Sequence, residues 1–400
     1  MSVRTVAMTV ALVFAATLAG PLRTADAQDN ETAPSTNSRF EIAPRGYVQF
    51  DWRGYPDWPV APGSGRLTFD TFEVRRARVG VDGRLGRVSY ELTVDPQDLD
   101  DTFVRDAFGR WRFSRRFELQ AGQFKVPGGR EYQEAARTLD FMERPALAQT
   151  ASAGRDLGAM ALGDFGRLEY QLGVFAGDGR GRGSRAKLTS AGRAAWQVMR
   201  DVEVAGSASV GRTEAVDDQA ANGLDGRTSS GYRFFDRVYV DGRRTRWGGD
   251  VEWSPGPWRL TAEGLRVVDS RDEQGLDFED LPSVETLGWS VSLLRQFGRR
   301  TQGQQRMRLR EFDLGVRLES LGFDDTGPDT DRSSTRLRAT DIRPRAARSA
   351  TVTASWQPTR WSRILLNGGV DTFSDARSAP EAGKDGPYWT AGTRFQLELP

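Results

Sequence analysis

The chain has 400 residues and contains neither His nor Cys, which excludes Ser-His-Asp triads, cysteine nucleophiles, disulfide frameworks and any metal centre built on imidazole or thiolate. Lys and Arg number 56 against 55 Asp and Glu, a formal net charge of +1, so no global positive excess points to nucleic acid as a partner. Only Lys125, Lys187 and Lys384 are lysines, so cation chemistry rests almost wholly on Arg, a bias that a GC-rich gene accounts for more readily than a need for the guanidinium fork.

The first segment in chain order reads as an export signal. Arg4 supplies the positive start, Val6 to Ala19 is an apolar run, and Ala25-Asp26-Ala27 is a small-residue cleavage site. The run is too short and too rich in Ala to span a bilayer as a helix. No Cys follows it, so a lipoprotein anchor is excluded. Without residues 1–27 the chain holds 54 basic and 54 acidic residues, a formal charge of zero. Residues 28–44 read as an N-terminal linker, polar over QDNETAPSTNS (28–38). No later segment has 18 consecutive apolar residues, so a membrane-embedded mature chain must be a closed barrel, in which every backbone polar group finds a partner.

From residue 45 to 400 alternation dominates. Val88, Tyr90, Leu92 and Val94 share one face, with Ser89, Glu91, Thr93 and Asp95 on the other. The same period of two recurs at Leu168–Val174 and Phe312–Leu318, the mark of strands with one apolar and one polar face. It predicts about sixteen strands, near 45–53, 70–82, 87–95, 103–113, 116–125, 156–163, 167–176, 187–198, 202–212, 245–254, 257–267, 285–297, 309–320, 347–357, 362–373 and 387–399. Short connections (83–86, 114–115, 164–166, 199–201, 255–256, 358–361) alternate with long polar ones (54–69, 126–155, 213–244, 268–284, 321–346, 374–386). That rhythm belongs to an outer-membrane antiparallel barrel with tight periplasmic turns and long external loops. The Arg-rich connection 298–308 breaks it. Trp111, Trp196, Trp253, Trp258, Trp356 and Trp361 lie beside short turns, while Trp52, Trp247, Trp289 and Trp389 lie at the opposite strand ends. Two such belts fit the two membrane–water interfaces.

Residues 72–177 carry a specific resemblance. FEVRRARVGVDGRLGRVSYELTVD (72–95), VRDAFGRW (104–111), LQAGQFKVPGGREY (119–132), RTLDFMERPALAQ (137–149), GRDLGAM (154–160) and YQLGVFAGDG (170–179) resemble, in order and spacing, the phosphate-selective porin O/P family. The resemblance implies a sixteen-stranded outer-membrane barrel, commonly a homotrimer, that passes small anions. Two features depart from the pattern. Phe395 lies inside the last strand and Pro400 ends the chain, where such barrels usually end on an aromatic residue. The lumen face, assigned by parity, mixes Arg76, Arg78, Arg110, Arg112, Arg246, Arg259, Arg317 and Arg394 with Asp51, Asp82, Glu91, Asp106, Glu118, Glu169, Asp250, Glu252, Glu263, Asp313 and Glu319. Selection of anions then needs a local excess of cations at one level.

The connection 126–155, which follows the GQFKVP run, is the candidate constriction. Lys125, Arg130, Arg137 and Arg144 form its anion-facing set, opposed by Glu131, Glu134 and Glu143, with Arg76, Arg78, Arg110 and Arg112 on the lumen wall. A solvated external loop is the competing reading. GDGRGRGSR (177–185) lacks the GK[ST] of a phosphate loop and reads as a flexible external loop. The acidic groups Asp95, Asp98, Asp100, Asp101 and Asp324, Asp325, Asp329, Asp331 lack EF-hand spacing and read as surface loops. No carboxylate pair stands out for glycoside hydrolysis. The sequence therefore predicts an outer-membrane porin, not an enzyme, with no cofactor and no metal. Its partners are small anions or other small hydrophilic solutes and outer-membrane lipid. A non-conducting structural or adhesive barrel, and a secreted carbohydrate-active β protein, are the alternatives.

Overall fold

The computed structural model describes residues 40–97, 103–177, 188–213, 224–238, 240–274, 278–297, 311–325, 342, 344–375 and 378–399. The export signal, the polar segment 28–38, the connection 298–308 and Asp98, Asp100, Asp101, Asp329 and Asp331 lie outside them, as does most of 177–185.

The alternating segments form β1 (Phe40–Gly54), β2 (Phe72–Leu85), β3 (Val88–Val94), β4 (Val104–Ser114), β5 (Phe117–Lys125), β6 (Arg155–Asp164), β7 (Leu168–Phe175), β8 (Thr189–Met199), β9 (Val202–Thr213), β10 (Leu224–Arg227), β11 (Arg233–Val238), β12 (Gly242–Trp253), β13 (Trp258–Arg271), β14 (Leu281–Phe297), β15 (Glu311–Asp325), β16 (Arg345–Thr359), β17 (Ser362–Phe373) and β18 (Tyr388–Glu398). All but β10 and β11 join one closed antiparallel barrel of sixteen strands, each paired with its neighbour and β9 with β12. The ring closes where β1 meets β18, from Tyr47 opposite Glu398 to Gly54 opposite Ala391. Closure leaves no unpaired sheet edge, the condition for crossing hydrocarbon with strands.

Every barrel strand coincides with a predicted one. The first begins five residues early, because Phe40 to Pro44 pair with Leu85 to Val81 and extend the wall into the predicted linker. The alternation sorts as expected. On β14, Val284, Thr286, Ser290, Ser292 and Leu294 are buried inside, while Leu287, Trp289, Val291 and Leu293 are exposed on the outer wall. Leu92, Leu172, Leu314 and Val316 are likewise exposed outward.

The connection 213–244 differs from the single polar loop that the sequence suggests. It holds the β10–β11 hairpin, paired from Leu224 opposite Val238 to Arg227 opposite Arg233. Phe235 stacks on Phe323 of β15 with ring centroids 4.3 Å apart, and Tyr232 packs edge-on against Phe373 of β17. These side chains bury with Leu67, Val267, Val284, Leu321 and Tyr388 in one apolar cluster. The hairpin thus occupies the loop end of the lumen along β13 to β18. Burial of several large aromatic side chains, each contributing about 1.5–3 kcal/mol, offsets the ordering of the loop.

Candidate pore constriction

After β5 the chain turns into the barrel. Gly122 has φ +131°, a conformation that side-chain-bearing residues avoid, and a Cβ there would lie 2.2 Å from the Ala107 carbonyl oxygen. Pro127-Gly128-Gly129 then brings the backbone against β13, where a Cβ on Gly129 would meet Glu263 Oε1 at 1.9 Å. Two short helices follow, α1 (Arg130–Gln133) and α2 (Ala146–Thr150).

Residues 126–154 cross the lumen and are held from almost every side. Arg193 Nη1 on β8 donates to the Gly128 carbonyl (3.1 Å), and the Glu131 amide donates to Glu263 on β13 (2.8 Å). Gln49 on β1 donates to the Ala136 carbonyl (3.2 Å), and Gln396 on β18 to that of Arg137 (3.0 Å). Arg363 on β17 reaches the Leu139 carbonyl (2.8 Å), Thr353 on β16 that of Asp140 (3.0 Å), and Arg317 on β15 that of Glu143 (2.9 Å). The Ala146 amide donates to Glu319 (3.2 Å), and Arg246 on β12 to the Ala151 carbonyl (3.1 Å). A backbone so enclosed must have its polar groups paired, and the lumen side chains do that here. Leu139, Phe141, Met142, Ala146 and Leu147 are buried.

One carboxylate anchors the loop. Glu143 accepts from Arg53 (2.9 Å), Arg75 (2.8 Å), Arg76 (3.0 Å) and Arg394 (3.0 Å). Burial pushes the Glu143 carboxyl up, but Arg75, Arg76, Arg394 and Arg53 push it down by more, leaving it well below the ordinary range. Asp51 on β1 shares Arg53 and Arg394 with it. Asp140, by contrast, is raised by burial, against the lowering effect of Arg259.

The loop divides the lumen unequally. Toward β12 to β18, among the described residues, gaps of about 40 and 50 Å³ lie beside it, room for a few waters. Toward β2 to β6 the described residues line two larger cavities. One, of about 380 Å³, is lined by Arg75, Arg76, Arg78, Arg105, Lys125, Arg144 and Arg155, with Glu73 and Asp95 as its carboxylates and Tyr132, Val74 and Gln97 completing it. The other, of about 500 Å³, lies toward the short turns and is closer to balance. It sets Arg45, Arg78, Arg110, Lys125, Arg137 and Arg155 against Asp82, Glu91, Asp106 and Glu398. Arg78, Lys125 and Arg155 line both, so they stand where the two meet.

The residues proposed from sequence fall into separate places. Lys125 and Arg144 come together at the basic cavity. Lys125 Nζ donates to the carbonyls of Tyr132 (3.0 Å), Gln133 (3.0 Å) and Glu134 (2.8 Å), and Arg144 Nε to that of Glu131 (2.9 Å). Arg130 lies apart, pairing with Glu203 (2.8 Å) and Glu252. Arg137 lines the balanced cavity, 3.6 Å from Glu398. On the wall, Arg76 and Arg78 face the basic cavity, and Arg78 pairs with Asp95 (2.8 Å). Arg110 donates to Gln120 (2.9 Å) in the balanced cavity, and Arg112 pairs with Glu118 near the turn. Arg75, Arg105 and Arg155 were not among the proposed residues. Arg75 points inward because β2 bulges: Gln49 pairs with Arg76 but Phe50 with Val74, leaving Arg75 unmatched. The sequence carries the trace of that bulge, since apolar residues sit at even positions at Phe72 and Val74 and at odd ones at Val79 and Val81. Arg155 starts β6 and forms two bonds of 3.0 Å to Asp106.

A closed barrel of sixteen strands, narrowed by a loop folded into its lumen, is the architecture of an outer-membrane porin. The family model described as phosphate-selective porin O and P matches residues 65–367, and the chain belongs to that family. Solved structures share the fold at low identity. The trimer form of OmpT from Vibrio cholerae is 12% identical with a TM-score of 0.58, covering 90% of this chain and 99% of that one. An anion-selective porin from Comamonas acidovorans is 11% identical with a TM-score of 0.55, covering 90% and 100%. The outer membrane channel DcaP of Acinetobacter baumannii is 12% identical with a TM-score of 0.57, covering 90% and 97%. No curated protein matches the sequence.

Proposed function

We propose that this porin prefers anions and that its preference is set beside β2 to β6. The observation that carries the reading is the 380 Å³ cavity, where, among the described residues, seven Arg and Lys side chains line the wall with two carboxylates. Fixed charge at a narrow level concentrates counter-ions and repels co-ions, even when the whole chain is near neutral. Small hydrophilic anions, phosphate among them, are the solutes this favours. The similar fold of a porin described as anion-selective supports the reading.

The same proposal includes a homotrimer in outer-membrane lipid, exported with loss of residues 1–27. The trimeric form of the similar OmpT barrel supports the assembly, and the Ala25-Asp26-Ala27 site supports the processing. The deciding experiment is a reversal-potential measurement on single channels in a potassium chloride gradient. A potential of the sign set by chloride supports the proposal. One set by potassium rejects it.

A further inference from the structure

We infer that the turn end of the barrel's outer wall binds anionic phospholipid, with exposed arginines holding the headgroup phosphates and the aromatic rings beside them seating the glycerol and upper acyl chains. The inference rests on the membrane-spanning reading of the barrel and is independent of its ion preference.

Arg295 shows such a seat most fully. It lies near the turn end of β14, where Leu294 is buried in the lumen and Leu293 is exposed outside, so alternation turns the Arg295 side chain toward lipid. Its guanidinium stands 5.1 Å from the ring centroid of Trp258 and 4.8 Å from that of Phe297. Phe312 extends the aromatic floor, its centroid 5.9 Å from that of Phe297. Further along the wall Leu293 and Leu314 are exposed. A guanidinium stacked on rings keeps its N–H edges open, and those edges match phosphate bidentately. The rings hold the cation without neutralising it.

The arrangement recurs along the same rim. Arg116 lies over Phe165 (5.9 Å) and Arg360 over Trp361 (3.9 Å). All three arginines are exposed, and none has an ion-pair partner among the described residues. Arg84 and Arg87 add two exposed guanidiniums at the turn after β2, and Arg167 and Arg200 one each at the turns after β6 and β8. The carboxylates of the described short turns are Asp164, which pairs with Arg115 (2.8 Å), and Asp201, which accepts from Trp253 Nε1 (3.2 Å), while Glu41 on β1 lies across from Arg84. The loop end is built differently. There Arg266, outward over Trp247 (5.5 Å), is paired with Glu285 (2.6 Å), so the protein supplies the counter-charge itself. At the turn end that charge is left to an outside partner. A cell-wall peptide offers carboxylates but has no match for the rings and leucines beside the cations. A phospholipid meets both, phosphate at the fork and chains on the apolar wall.

The test is native mass spectrometry of the full-length protein, released from detergent micelles over a series of lipid concentrations. Phosphatidylglycerol should be retained at concentrations about fivefold lower than phosphatidylcholine, whose choline cancels the phosphate charge. Fivefold corresponds to about 1 kcal/mol, the typical contribution of one basic side chain near an anionic surface. Arg116→Gln, Arg295→Gln and Arg360→Gln together should bring phosphatidylglycerol to the level of phosphatidylcholine, whereas Arg266→Gln at the opposite rim should change nothing. If the triple variant fails to fold, judged by migration on unheated gels, the wild-type comparison decides alone. Equal retention of the two lipids by the wild type, or an equal loss from Arg266→Gln, overturns the inference. A soluble muropeptide retained as tightly as phosphatidylglycerol also overturns it and assigns the rim to the cell wall. Extraction of the protein without detergent overturns instead the membrane placement beneath it.

Discussion

Arg394 on β18 and Glu143 in the inward loop are 251 positions apart in sequence, yet Arg394 Nη2 donates to Glu143 Oε1 at 3.0 Å. The contact ties the loop to the strand that closes the barrel. With Arg53, Arg75 and Arg76 on the same carboxylate, it makes Glu143 the fixed point of the constriction.

Removing that carboxylate should free the loop without opening the barrel. Glu143→Gln leaves buried guanidiniums without their counter-charge, a loss of about 3–5 kcal/mol for a broken buried pair. The expected result is a larger, noisier conductance and new tryptic cleavage after Arg137, with barrel migration on unheated gels unchanged. Wild-type conductance and protease resistance would reject Glu143 as the anchor.

The acid dependence of the loop follows from the same site. The folded Glu143 carboxyl is depressed relative to an unfolded value of about 4.3, so its contribution is fully present above that value and is lost as pH falls through the depressed one. Loop protection measured by proteolysis should stay flat from about pH 8 to pH 5. Loosening should begin only in stronger acid. Loosening centred near pH 6 would mean that another group controls the loop.

The four loop-associated cations should not act equally on selectivity. Lys125→Gln with Arg144→Gln changes two of the basic side chains that line the basic cavity and should move the reversal potential toward the potassium limit. Arg130→Gln with Arg137→Gln should move it less, because Arg130 is paired with Glu203 and Glu252 and Arg137 borders the balanced cavity. Equal shifts from the two double variants would contradict the division of the lumen described above.

Inner and outer wall positions should differ in tolerance. Leu172 faces outward and is 60% exposed to the membrane side, while its neighbour Gln171 lines the lumen cavity. Leu172→Arg should cost about 2–4 kcal/mol in a folding titration if it lies at mid-membrane, and Gln171→Arg much less. Comparable losses would overturn the assignment of faces. Within β5, Gly122→Ala should cost about 1–3 kcal/mol from backbone strain alone, read in the same titration, with the clash on Ala107 adding to it.

The barrel was legible because its rule is local. A period of two, interrupted by turns, can be read from neighbouring residues such as Leu168 to Val174, and it located every barrel strand. The site was legible only in part. That 126–155 folds inward could be suspected from its length and the run before it, but which side of the lumen each cation faces depends on partners far away in sequence. Arg130 meets Glu252 and Arg137 meets Glu398, and no spacing rule reveals such pairs. Arg75 was hidden by a bulge that a strict parity count cannot accommodate. The β10–β11 hairpin was hidden because its strands are four and six residues long, although the run Tyr232-Arg233-Phe234-Phe235 is dense in aromatic residues for a solvated loop.

The meeting of β1 with β18 also dictates an order of events during folding. Hairpins between successive strands need only short loops to close, whereas β1 and β18 must find each other across nearly the whole chain, the slowest and entropically most costly pairing. Until they do, both strands are open edges. Glu143 accepts from Arg53 of β1 and from Arg394 of β18, so its anchor is complete only when both strands of the seam are in place. An incompletely zipped sheet therefore has no finished constriction, and the narrow, charged path for solutes comes into being in the same step that seals the wall.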